Sequence, residues 1–191
     1  MMQCNKIVDL RTYALINNTR NFFLDTNVLY WYTYPRFLEP GQLTTTAQIY
    51  YNFIDSLTAA GNPLITSVYN LTELLNVIEK NEFDIYCHLH PDLPITRKDF
   101  RKMSSERREV GKIMQTALNN VKELCTVVDF NFSQTAVNSF ANTFTNHRCD
   151  VFDYAILNNC INSQFLNIIS DDSDFSTMEK ITLYTANEKI L

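Results

Sequence analysis

Short β-rich apolar runs alternate with helix-length stretches along this chain. That alternation constrains the fold more than any other feature. Residues 22–26 (Phe-Phe-Leu-Asp-Thr), 64–66 (Leu-Ile-Thr), 125–129 (Cys-Thr-Val-Val-Asp), 167–170 (Asn-Ile-Ile-Ser) and 181–184 (Ile-Thr-Leu-Tyr) read as short buried strands. Residues 43–60 read as a helix stopped by Gly61, Asn62 and Pro63. Ser67 reads as the N-cap of a helix reaching about Lys80, with Leu71, Leu74, Leu75 and Ile78 as its apolar stripe. Pro91 and Pro94 mark residues 81–95 as irregular. One long helix is predicted over 97–124, and two more near 133–144 and 150–163. Strands alternating with such helices predict an α/β fold of three layers, a central, mostly parallel sheet of about 4–5 strands between helices. No internal repeat or linker is visible, so one domain is expected over 1–191, with a helical, polar insertion at about 81–124.

The chain has the material for such a core: 191 residues, 46% apolar and 19% charged. No stretch approaches the ~20 continuous apolar residues of a membrane span. Residues 1–10 include Gln, Asn, Lys and Asp and do not read as a signal peptide. Cys4, Cys87, Cys125, Cys149 and Cys160 are odd in number and scattered, which argues against a disulfide scaffold or a zinc ribbon and for a reducing, cytoplasmic compartment. The net charge of −5 excludes a uniformly basic nucleic-acid binder but not a locally basic one.

The acids are placed informatively. Asp25 ends the first strand of this reading, and Asp171 and Asp172 follow the fourth. Parallel strands bring such ends to one edge, where functional groups of open α/β sheets collect. Asp150 and Asp153 share a helix face. Carboxylates meeting in one crevice repel one another unless cations lie between them. An all-oxygen donor set favours Mg²⁺ or Mn²⁺, and ion pairs about 3.5–4 Å apart serve phosphodiester displacement. Taken singly, each acid also fits turn or helix-cap chemistry. A calcium EF-hand does not fit, because Thr177 and Leu183 stand where Gly and Glu are needed.

Residues 22–29 (Phe-Phe-Leu-Asp-Thr-Asn-Val-Leu) resemble the opening strand of PIN-domain nucleases. Ser67 with Glu73 is similar to that family's second motif, and residues 153–156 (Asp-Tyr-Ala-Ile) resemble its third acid. Residues 170–175 (Ser-Asp-Asp-Ser-Asp-Phe), followed by 181–184, look like its fourth motif and last strand. The resemblance runs in order over about 22–186. It implies a Mg²⁺- or Mn²⁺-dependent endoribonuclease that leaves a 5′-phosphate and a 3′-hydroxyl. Most often such a protein is a bacterial toxin of the VapC type, checked by an antitoxin and often dimeric. It implies metal ligation by Asp25, Glu73, Asp153 and Asp172, with Asp174 as an accessory and Asn27 and Ser170 as hydrogen-bonding support. Asn158 and Asn159 depart from the small apolar residues of the family pattern. So do a lead segment of about 20 residues and the long 81–124 region.

Two other readings stay open. A haloacid-dehalogenase-like phosphatase would need a second Asp where Asn27 stands. A degenerate PIN fold would bind RNA or protein without catalysis.

Residues 97–112 hold seven of the sixteen basic residues and three acids, so the stretch is +4 and the rest of the chain −9. On a continuous helix, Arg97, Arg101, Arg108 and Lys112 fall within roughly a 60° arc. That ridge reads either as a solvated face or as an RNA-backbone track, with Gly111 a candidate kink. Cys87, His88 and His90 are too crowded to close a zinc site unaided. His147 reads as a loop histidine or a proton donor near the crevice. Tyr30, Trp31, Tyr32 and Tyr34 read as core or as a stacking surface for bases.

Overall fold

The computed structural model describes residues 6–14, 19–39 and 41–191. Cys4 and the first half of the 1–10 segment lie outside the described residues. Six strands, β1 (Lys6–Asp9), β2 (Phe22–Leu24), β3 (Leu64–Ser67), β4 (Thr126–Val128), β5 (Asn167–Ile169) and β6 (Thr182–Thr185), form one sheet in the order β1-β6-β5-β2-β3-β4. Every pairing is parallel. The α/β class of the sequence reading stands, with one strand more than the 4–5 expected. The extra strand is β1, which lies on the edge beside β6 inside the stretch read as a lead segment. Four residues with only Val8 buried carry too little alternation to announce a strand; pairing with β6 makes it one.

The helices are α1 (Thr26–Thr33), α2 (Thr45–Ala59), α3 (Val68–Leu89), α4 (Arg97–Phe100), α5 (Ser104–Leu124), α6 (Gln134–Thr143) and α7 (Val151–Asn162). Side chains of β2 alternate between the two faces. Phe22 and Leu24 join a core with Leu29, Tyr50, Ile54, Leu57, Leu74, Ile78, Ala117 and Val121 from α1, α2, α3 and α5. Phe23 joins the opposite core with Tyr154, Leu157 and Cys160 of α7. This period of two produces the three layers.

Two features of the 81–124 region differ from the sequence reading. First, α3 continues to Leu89, so most of the segment read as irregular is helical. Phe83 and Tyr86 pack on Phe100, with ring centroids 5.5 and 5.3 Å apart, and Glu82 is buried against Tyr34 and Arg36. These contacts, invisible in local sequence, hold the last turns. Second, the helix expected over 97–124 is broken between α4 and α5, where the chain turns after burying Phe100. The break is not at Gly111, which lies inside α5. α5 packs against α1 and α3. Among the described residues no helix is long and apolar enough to cross a membrane.

Candidate functional site

The chain runs from β2 to β3 and β4 on one side, then crosses to β5 and β6 on the other. The switch point is therefore between β2 and β5, and a crevice opens beyond their carboxyl ends. Leu24 pairs with Ile169, so Asp25 and Ser170 leave adjacent strands side by side. Asp25 is buried and caps α1, accepting from the Thr26 amide at 2.7 Å. Its Oδ2 accepts from Ser170 Oγ at 2.6 Å and Asn27 Nδ2 at 2.9 Å, and its Oδ1 from Asn70 Nδ2 at 3.3 Å. Ser170 Oγ also accepts from the Asp172 amide at 2.9 Å. One hydroxyl thus ties two acid-bearing segments together.

A pocket of about 490 Å³ lies over this point, with Asp25, Glu73, Asp150, Asp153 and Asp172 in its wall. Glu73 projects from α3, and its Oε2 accepts from Thr26 Oγ1 at 2.6 Å. Asp153 enters from the first turn of α7, which Asp150 caps. Among the described residues no Lys, Arg or His lines the pocket. Burial pushes Asp25 up to about 7; the Ser170 hydroxyl and Thr26 amide oppose this, and Glu73 and Asp172 add to it. Burial pushes Asp153 up to about 8, with further repulsion from Asp25, Asp150, Asp172 and Glu73.

The donor chemistry suits a hard divalent cation: among the described residues every charged group in the wall is a carboxylate, and burial with repulsion from neighbouring carboxylates disfavours the charged forms of Asp25 and Asp153. The assembly is less complete than the chemistry. Among the described residues no group of three or more His, Cys, Asp or Glu side chains is placed to hold a metal ion as it stands. Closing a shell would require rotation of exposed Glu73 and half-buried Asp153 and Asp172.

The candidates named from sequence separate as follows. Asp25, Glu73, Asp153, Asp172 and Asn27 line one pocket, with Ser170 bonded beneath it. Asp174 lies outside the lining; its amide donates to Asp172 Oδ1 at 2.8 Å. Asp171 turns away to accept from Tyr50 at 2.8 Å. His147 is also outside the pocket, buried and stacked on Tyr154 at 4.7 Å. Tyr30 and Trp31 line the pocket, Tyr34 is core, and Tyr32 bonds Asp55 at 2.6 Å. Asn70 and Thr26 were missed as hydrogen-bonding partners. The Ser67-x-x-Asn70 spacing, a helix-cap signal, was the available hint, and Ser67 Oγ does donate to Asn70 Oδ1 at 2.6 Å.

The cation ridge is corrected by the helix break. Arg97 and Arg101 are in the α4 segment, not on the helix that carries Arg108 and Lys112. Both are bonded to Glu79 of α3, Arg97 Nη2 at 2.7 Å and Arg101 Nη2 at 2.5 Å, because α4 folds back on α3. Lys112 pairs with Glu109 at 2.8 Å, and Arg108 is exposed.

No family model matches the chain, and no curated protein matches it. Solved structures do. VapBC2 from Rickettsia felis, crystallised with a DNA fragment from its promoter, aligns over 85% of this chain and 96% of its own at 15% identity, TM-score 0.49. FitAcB from Neisseria gonorrhoeae aligns over 87% and 99% at 14% identity, TM-score 0.47. FitAB bound to an IR36 DNA fragment aligns over 87% and 96% at 13% identity, TM-score 0.48.

Proposed function

We propose that the pocket at the β2–β5 switch point is the active site of a Mg²⁺- or Mn²⁺-dependent endoribonuclease. The observation that carries this reading is the convergence of Asp25, Glu73, Asp153 and Asp172, from four separate segments, on one pocket with no cationic side chain in its wall among the described residues. A bound divalent ion would neutralise these carboxylates and stabilise charge on the phosphate oxygens of the substrate. Asp25 is the fixed member, held by Ser170, Asn27, Asn70 and the Thr26 amide. Glu73, Asp153 and Asp172 are the adjustable ones. The sequence resemblance adds a restraining antitoxin as partner.

The phosphatase alternative loses ground on Asn27. That side chain donates to Asp25 Oδ2 and accepts from the Asp171 amide at 3.3 Å, so it has no carboxyl with which to exchange protons. The test is cleavage of single-stranded RNA with Mn²⁺ and with chelator, by the wild type and Asp25→Asn. Cleavage that needs Mn²⁺ and disappears in a folded Asp25→Asn protein is expected. Full activity of Asp25→Asn, or no cleavage in Mn²⁺, overturns the reading.

A further inference from the structure

Beside the carboxylates the pocket wall is aromatic. Tyr30, Trp31, Tyr69 and Phe152 line it together with the acids. Phe152 is the residue before Asp153, yet its ring is turned out: 56% of it is exposed. Behind it stands Phe132, from the loop between β4 and α6, 39% exposed and nearly parallel at 5.5 Å and 16°. Tyr69 of α3 leans on Phe132 at 6.1 Å. Three separate segments thus build one aromatic surface on the pocket rim. Burying such rings would favour folding, and here Phe152 is left more than half in water and Phe132 more than a third. The adjoining polar wall, Thr72 and Asn76, can hydrogen-bond the edges of a planar ring.

We propose that Phe152, backed by Phe132, is a stacking wall for an unpaired nucleobase next to the bond to be cleaved. This deepens the nuclease reading and rests on it for the word substrate, but not for the stacking itself. Two features favour a base over a protein side chain as the occupant: the rings are flat and parallel, and they adjoin the pocket assigned to a phosphodiester. An acidic pocket offers little attraction for a polyanion, and stacking supplies affinity that is independent of charge and tolerant of sequence. A base in a duplex is already stacked on both sides and cannot use the wall.

The experiment uses the full chain and a single-stranded oligoribonucleotide containing 2-aminopurine, whose fluorescence is quenched on stacking. Wild type and Phe152→Trp are expected to quench it. Phe152→Ala and Phe152→Leu are expected to quench it far less and to raise KM by roughly 5- to 100-fold, with kcat little changed. The same sequence annealed as a duplex is expected to bind more weakly than the single strand. Quenching by wild type without cleavage in Mn²⁺ supports the wall and overturns the nuclease reading. Cleavage with equal quenching and equal KM in Phe152→Ala overturns the wall and leaves the nuclease reading standing. Absence of quenching by wild type, or equal binding of duplex, also overturns the wall and gives this surface to a protein segment.

Discussion

Ser170 Oγ lies 2.6 Å from Asp25 Oδ2 although 145 residues separate the two in the chain. The parallel register that pairs Leu24 with Ile169 puts them there. Because the same oxygen accepts from the Asp172 amide, removing it affects two acids at once. Ser170→Ala should lower Mn²⁺ affinity by roughly 10- to 100-fold, as loss of a partner that orients a ligand commonly does. Titration calorimetry checks this. An unchanged affinity would mean the hydroxyl is only a structural tie.

The raised carboxyls make stability depend on pH in a defined direction. Asp25 rises from 3.8 to about 7 and Asp153 from 3.8 to about 8, so between these limits the folded protein binds protons that the unfolded chain does not. Stability is therefore greatest below about pH 4 as far as these two groups are concerned, and falls as pH rises through 7 and 8. In chelator, the urea midpoint at pH 5.5 should exceed that at pH 8.5. Saturating Mn²⁺ should shrink the difference, because an ion that binds only the folded, ionised pocket adds stability where the protons are lost. A metal-free midpoint that rises with pH would contradict the assignment.

Glu79 is the partner that removes Arg97 and Arg101 from the proposed RNA track. Their guanidiniums hold it down to about 2. Its contribution is thus present above the ordinary glutamate range and is lost only as pH falls through about 2. Glu79→Ala should lower Tm by about 2–4 °C, the scale of a modest loss in a protein of this size. It should also free two cations and steepen the salt dependence of RNA binding. Arg108→Glu should leave Tm nearly unchanged, since that side chain is exposed and is not bonded to Glu79, and should make the salt dependence shallower. Thermal scans with fluorescence anisotropy at two salt concentrations read both effects. A salt slope indifferent to both changes would remove this face from RNA binding.

The amino-acid sequence by itself determined the class of the fold. Runs such as residues 22–24 and 167–169 are short and rich in aromatic or β-branched residues, as buried strands are, and Ser67 and Asp150 begin their helices as capping residues do. It also placed Asp25 and Asp172 just past strand ends, because an acid after an apolar run is a local pattern. Only tertiary structure decided what depends on partners far along the chain. β1 is a strand because β6 accepts it, and the end of α3 is helical because Phe100, Tyr34 and Arg36 pack on it. The cation ridge was drawn on a helix that the burial of Phe100 interrupts, leaving Arg97 and Arg101 on Glu79. Phe152 and Phe132 lie 20 residues apart in sequence, and only the fold stacks them at the rim. Local patterning sets which elements form, whereas pairing, burial and charge compensation act across sequence distances that no local pattern encodes.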